Sequence, residues 1–389
     1  MKYAYFPGCS SVGSGISFER SAQYVAKKVG VELAEIPDWN CCGAGHMPNH
    51  DASIALPARN LALAEKMGLD EVVTPCAACF ARLKTASVYC RQSEENLKHI
   101  SDIIEMPFEA KNDVISLLEV FSRDEAKEAI KAAITKPLNG VKVASYYGCL
   151  LVRPEGICDF DDNENPMSMD NLMAIAGATP VDWAFKVECC GASHQVALPK
   201  VGREMISKVI MNAVDNGAEA IVTACPLCML NLDMRMKEVA AKHGSKYNIP
   251  VYFFTELLAA AMGADPKELG TNKHFVPAVE FLENAVKPVA KEEKKAVKFD
   301  KQADEIDAKM AKEKAENKAN RDKVGGATQS VANMQARSEK KNIDEHADKI
   351  DAEMAKKKAE NKATRDTVGG ATKSVAEKQA RSEKNGGEK

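Results

Sequence analysis

No run of apolar residues in this chain approaches the roughly 18 needed to cross a bilayer, so no membrane span is expected. The amino terminus, Met1-Lys2-Tyr3-Ala4-Tyr5-Phe6-Pro7-Gly8-Cys9, leaves no room for the apolar core of a signal peptide. Charge of one sign is scarce as well: the formal net charge is −3 over 389 residues. It divides into about −8 for residues 1–289 and about +5 for 290–389, and neither value suggests a nucleic-acid binder. No glycine-rich nucleotide or flavin fingerprint is present. After Pro288 proline and cysteine are absent, and Phe299 is the only aromatic residue. These absences point to a cytoplasmic protein, long enough for two cored domains of roughly 150 residues each, followed by a polar tail.

What the chain does have is cysteine in a repeated pattern. The first set is the single Cys9, the vicinal pair Cys41-Cys42 and the C-x-x-C of Cys76-Ala77-Ala78-Cys79. The second set has the same order and nearly the same intervals: Cys149, then Cys189-Cys190, then Cys225-Pro226-Leu227-Cys228. Ten of the twelve cysteines belong to these sets, leaving Cys90 and Cys158 outside. In a reducing compartment, clustered thiols indicate metal or redox chemistry rather than structural disulfides.

The elements around the cysteines also repeat. Residues 2–7 read as a buried strand delivering Cys9, followed by a glycine-bearing turn and an amphipathic helix from Ser17 to Val29. Val31 to Ile36 is a second apolar run ending before Cys41-Cys42-Gly43, where glycine permits a turn that lets adjacent side chains reach one site. Leu56 to Met67 is helical in pattern, Glu71 to Pro75 is a strand, and a helix from Phe80 to Arg91 follows the C-x-x-C. Residues 94–136 read as a helical connector. The second half repeats the plan, with strand 141–147, helix 168–176, a strand near Val181-Asp182-Trp183, helix 202–216, strand 220–223, helix 230–242, strand 250–254 and helix 256–262. The expected fold class is therefore α/β: two pseudo-symmetric domains with mainly parallel sheets, with ligands at the carboxyl ends of strands. The expected divisions are 1–136, 137–288 and 289–389. The last region repeats with a period of 44 residues, Ile306-Asp307-Ala308 returning as Ile350-Asp351-Ala352, and reads as disordered or marginally helical.

Structural zinc needs four ligands, usually from two close C-x-x-C pairs, which this spacing does not supply. A thioredoxin-like dithiol would account for one C-x-x-C and leave the other thiols idle. Iron–sulfur ligation accounts for all ten, although the spacing is not that of a ferredoxin cubane.

The CCG motifs, with Tyr147-Gly148-Cys149-Leu150-Leu151, Glu188-Cys189-Cys190-Gly191-Ala192 and Ala224-Cys225-Pro226-Leu227-Cys228, resemble those of the B-type subunit of heterodisulfide reductase, in the CCG-domain group. The resemblance covers residues 1 to about 265. It implies a noncubane [4Fe-4S] cluster held by Cys9, Cys41, Cys42, Cys76 and Cys79, and a second held by Cys149, Cys189, Cys190, Cys225 and Cys228. It further implies that both clusters face a cavity where a small disulfide is opened to thiols. The implied partners are a cubane iron–sulfur protein of that complex's C type and a flavoprotein of its A type. Two other classes stay open: an electron-relay CCG subunit of a thiol:fumarate, succinate:quinone or lactate-oxidising complex, and a scaffold with structural clusters.

Several single residues carry two readings each. His194 and His46 follow the vicinal pairs by four residues, placed either to deliver protons or to lie beside the site. Trp39 and Trp183 read as core walls, and Cys90 and Cys158 as small buried apolar residues. Arg153 can pair with an anionic substrate or with Asp159, Asp161 or Asp162.

Overall fold

The structure, a computed structural model, describes residues 1–44 and 49–287. The repeat-bearing tail and His46 lie outside the described residues.

In the first half the elements run β1 (Lys2–Tyr5), α1 (Ile16–Lys28), β2 (Glu32–Glu35), α2 (His50–Glu65), β3 (Glu71–Thr74), α3 (Ala77–Arg91), α4 (Glu94–Ile104), β4 (Asp113–Ser116), α5 (Leu117–Ser122) and α6 (Asp124–Ala133). The second half runs β5 (Lys142–Tyr146), α7 (Ser168–Ile175), β6 (Thr179–Pro180), α8 (His194–Ala197), α9 (Pro199–Asp215), β7 (Ala220–Thr223), α10 (Pro226–His243), β8 (Val251–Phe253), α11 (Phe254–Ala261), α12 (Pro266–Leu269) and α13 (Val279–Ala285). Each half builds one four-stranded, all-parallel sheet, ordered β2-β1-β3-β4 and β6-β5-β7-β8. The α/β reading with two similar parallel-sheet halves is therefore what the chain adopts.

Strand order decides where a site can form. In both sheets the second strand lies on one side of the first and the third on the other, so the connections diverge between β1 and β3, and between β5 and β7. Ligands in open α/β sheets bind outside the carboxyl ends of strands at such a divergence. Cys9 follows β1, Cys76 follows β3, Cys149 follows β5 and Cys225 follows β7. The central strands are buried, as sheets covered on both faces require; Val72, Val73, Val143, Ile221 and Val222 are fully enclosed.

The halves share one core. Phe18 of α1 stacks on Phe253 with centroids 4.2 Å apart and meets Phe254 edge-on. Aromatic pairs of this kind add about 0.5–1.5 kcal/mol beyond the area they bury. Beside them Ser21 and Thr255, both buried, satisfy each other at 2.6 Å.

Several boundaries differ from the sequence reading. The connector, read as rich in helical pattern, also contains β4, which pairs with β3 in the register Val72↔Val114. Ser116 ends that strand and caps α5 by accepting the Glu119 amide, so the apolar run is half strand and half helix. The helix expected from Leu56 starts at His50, capped by Asn49, and carries Pro57 within it. α3 and α10 begin inside their C-x-x-C motifs, at Ala77 and Pro226. The strand expected near Val181-Asp182-Trp183 is the two-residue β6 just before it. Beyond Met262 the chain continues into α12 and α13.

Candidate functional site

Each upstream cysteine leaves its strand through a glycine that the local geometry demands. Gly8 and Gly148 have φ of +77° and +70°, in the left-handed region that favours glycine. A Cβ at Gly8 would stand 3.2 Å from Cys79 Sγ, and one at Gly148 would stand 3.1 Å from Cys228 Sγ. The two positions therefore bring backbone against thiol in the same way in both halves.

The vicinal pairs sit on a second kind of turn. Gly43 and Gly191 have φ of +73° and +74°. Behind these turns Cys42 Sγ approaches Cys79 Sγ at 3.3 Å, and Cys190 Sγ approaches Cys228 Sγ at 3.7 Å. The Gly191 amide donates to Cys189 Sγ at 3.3 Å, and Asn231 on α10 donates to the Cys190 carbonyl. The C-x-x-C thiols occupy the first turns of α3 and α10, where unpaired amides and the helix dipole favour thiolate.

Close sulfur contacts distribute protons unevenly among these thiols. Cys42 is pulled down to about 7, chiefly by the Cys79 thiol, with help from the Ala44 amide and the Arg82 charge. Cys189 is pulled down to about 6 by Cys149, the Gly191 amide and His194. Cys190 is lowered by Cys228, and Cys225 by Cys228 and then Cys76. Their partners Cys79, Cys149 and Cys228 are raised, each chiefly because its neighbour takes the negative charge. Cys76 is raised mainly by Cys225, so the two sets meet across the halves at these two buried sulfurs.

A cavity of about 190 Å³ opens beside this meeting point. Ala44, Ala77 and Ala78 line it from the first half, and Tyr147, Leu150 and Leu227 from the second. Five thiols reach its wall: Cys149, Cys189, Cys190, Cys225 and Cys228. Apart from these thiols, no ionisable side chain other than the Tyr147 phenol lines it among the described residues. A larger cavity of about 590 Å³ lies near Thr135, Asp265 and Lys287, but no cysteine borders it. The thiols border the smaller cavity.

A buried ion pair braces the second set. Lys186 Nζ lies 3.1 Å from Asp170 Oδ1, with the two side chains 4% and 3% exposed. Asp170 Oδ2 accepts the Tyr147 hydroxyl at 2.7 Å, and the Tyr147 hydroxyl oxygen in turn accepts the Met169 and Asp170 amides at the start of α7. The Lys186 carbonyl accepts the amides of both Tyr147 and Gly148. The strand end that presents Cys149 is thus held from two sides. The first half has Pro7 before its corresponding Gly8 and no such hydroxyl.

The remaining candidates fall into place around this centre. Cys90 and Cys158 are buried, and burial pushes them up to about 11 and about 12. Trp183 is buried, donates to the Ser145 carbonyl and packs beside Tyr146; Trp39 is half-buried, edge-on to Phe6. His194 is half-buried and lies near Cys189. Arg153 pairs with Glu164 at 2.7 Å rather than with Asp159, Asp161 or Asp162.

The donor set fits an iron–sulfur group on two observations. In each half a vicinal-pair thiol and a C-x-x-C thiol approach one another, at 3.3 Å and 3.7 Å. The hydroxyls of Thr74 and Thr223, buried just before the two C-x-x-C motifs, have no hydrogen-bond partner among the described residues.

A cysteine-rich domain model, CCG, matches residues 3–84 and 143–233. The membrane anchor subunit of 8-methylmenaquinol:fumarate reductase from Wolinella succinogenes is 33% identical over 283 residues, covering 72% of this chain and 99% of the relative. The B-type subunit of the ferredoxin/F420H2-dependent CoB-CoM heterodisulfide reductase from Methanosarcina acetivorans is 30% identical over 289 residues, covering 72% and 96%. A hypothetical protein from Helicobacter pylori shares the fold, with a TM-score of 0.57 at 15% identity over 71% of this chain and 52% of that one. With relatives aligned over nearly their whole lengths and the cysteine-rich domain matched in both halves, the chain belongs to the CCG cysteine-rich family that includes the B-type subunits of heterodisulfide reductase.

Proposed function

We propose that the chain is the iron–sulfur subunit of a heterodisulfide reductase-type complex in which a disulfide is opened to thiols between two noncubane [4Fe-4S] clusters. Cys9, Cys41, Cys42, Cys76 and Cys79 would hold one cluster, and Cys149, Cys189, Cys190, Cys225 and Cys228 the other. The observation that carries this reading is the gathering of both thiol sets at the carboxyl ends of the two sheets, with close sulfur contacts in each half and a cavity walled by both halves. When bound, the clusters supply one-electron transfer and iron sites for sulfur, so that cleavage of an S–S bond by two electrons and two protons need not release a thiyl radical.

The protein's own residues have definable tasks in that scheme. The CCG turns and the first turns of α3 and α10 aim backbone amides at the thiolates, offsetting the loss of water around negative sulfur. Ala77, Ala78, Leu150 and Leu227 keep the cavity apolar, which strengthens those amide contacts by lowering the local dielectric. Tyr147, held by Asp170, fixes the wall next to Cys149. His194, whose charge reaches Cys189, would hand a proton to a departing thiolate. Electrons would arrive from a C-type cubane iron–sulfur protein backed by an A-type flavoprotein.

A second reading is an electron relay of the kind a quinol-linked reductase needs. The Wolinella relative favours it, as does a cavity lining without Lys, Arg or His to meet an anionic disulfide. Anaerobic protein assayed with reduced viologen dye against disulfides and against quinones separates the two. Turnover of a disulfide that requires both cysteine sets supports the first reading; turnover of quinones alone overturns it.

A further inference from the structure

Twelve buried side-chain polar atoms lack a partner among the described residues, and two of them occupy the same place in the two halves. Thr74 and Thr223 are the last residues of β3 and β7, two positions before Cys76 and Cys225. Both are fully buried, and both hydroxyls are unsatisfied. A buried hydroxyl without an acceptor costs about 1–3 kcal/mol, and valine would fill the same space without that cost. Twice, at matching positions, the chain places threonine on a central strand where valine would fit.

Position says what the hydroxyls lie close to. Each threonine ends its strand at the carboxyl edge of the sheet, and a single bend residue, Pro75 or Ala224, separates it from Cys76 or Cys225, whose own backbone is extended (φ,ψ −94°, 121° and −135°, 121°). In both halves an unpaired buried hydroxyl therefore stands within two residues of a cysteine of the set. No cysteine sulfur accepts either hydroxyl.

We infer that Thr74 and Thr223 are a matched pair of hydrogen-bond donors, each to the sulfur of the cluster held above it, tuning its reduction potential. The inference rests on the iron–sulfur reading of the ten cysteines. A donor to sulfur stabilises the reduced, more negative state, so each hydroxyl raises the potential of its own cluster. One neutral hydrogen bond corresponds to about a fivefold change in the reduction equilibrium.

The test uses the anaerobically reconstituted full chain with Thr74→Val, Thr223→Val and the hydroxyl-retaining Thr223→Ser. Redox titration followed by paramagnetic resonance is the readout, with thermal unfolding of the iron-free forms beside it. The expected result is full iron content, a shift of one cluster to lower potential in each valine variant, and the wild-type potential in the serine variant. A proton that exchanges in D2O and couples to the cluster spin should be lost in Thr223→Val. The iron-free valine variants should unfold at the wild-type temperature or above, because they remove an unsatisfied hydroxyl. Valine variants that bind iron and keep both potentials and the exchangeable coupling would overturn this inference while leaving the iron–sulfur reading intact. Wild-type protein that takes up no iron would overturn both.

Discussion

Replacing Lys186 with methionine tests how the second cysteine set is held. The substitution nearly preserves side-chain length and removes the charge that faces Asp170, in a pair whose side chains are 4% and 3% exposed. Breaking a buried pair from one side costs about 3–5 kcal/mol, because a carboxylate is left enclosed without its cation. In a unit of this size each kcal/mol lowers the midpoint by about 2–4 °C, so the expected fall is about 6–20 °C. Adding Asp170→Leu removes the stranded charge and should restore at least half of the loss. Recovery stays incomplete, since the Tyr147 hydroxyl then has no acceptor, worth about 1–3 kcal/mol. Urea unfolding of the iron-free, reduced proteins at neutral pH measures the single and double variants together. A single variant within about 1 kcal/mol of wild type, or a double variant no better than the single, would refute the argument.

Other substitutions probe separate parts of the account. Gly148→Ala combines a left-handed φ of +70° with a Cβ 3.1 Å from Cys228 Sγ, whereas Gly68→Ala at +67° meets nothing within 4 Å. Both should lose about 1–2 kcal/mol of stability, but only Gly148→Ala should reduce iron uptake, read by metal analysis. Cys190→Ala should lose one cluster's resonance signal, while Cys90→Ala keeps both and loses about 1 kcal/mol. At His274, burial opposes the charged ring, but the Glu256 carboxylate 3.1 Å away outweighs it and raises the pKa above 6.5. The contribution of charged His274 is thus complete below that value and fades as pH rises through the raised one. His274→Gln should accordingly destabilise more at acidic than at alkaline pH in chemical unfolding; equal losses across that range would contradict the pairing.

How much of this was readable beforehand depended on the kind of signal. The repeated cysteine spacing and the alternation of short apolar runs with helical periods specify two parallel-sheet halves, because Cys9, Cys76, Cys149 and Cys225 each follow a strand and each C-x-x-C opens a helix. Boundaries were harder where one residue changes the element. The run Val114-Ile115-Ser116-Leu117-Leu118 has no single period, and only the capping role of Ser116 shows where strand becomes helix. Pro226 was a legible signal for the start of α10, since proline suits the first helical turn. Contacts between distant segments left no such mark. The meeting of Cys76 with Cys225 comes from packing the halves together, and the Lys186–Asp170–Tyr147 network joins residues that look like unrelated surface groups in the chain. The partner of Arg153 was missed for a local reason: the loop turns Asp161 and Asp162 toward backbone amides, leaving Glu164 to meet the guanidinium.

Iron and acid-labile sulfide counted per chain after anaerobic reconstitution test the central claim most directly, with each cysteine set removed in turn. Two four-iron clusters require about eight iron and eight sulfide in the full chain, falling by half when either Cys41-Cys42 or Cys189-Cys190 is replaced by alanine. Colourless, iron-free protein, or iron that persists undiminished without one of these pairs, would contradict it.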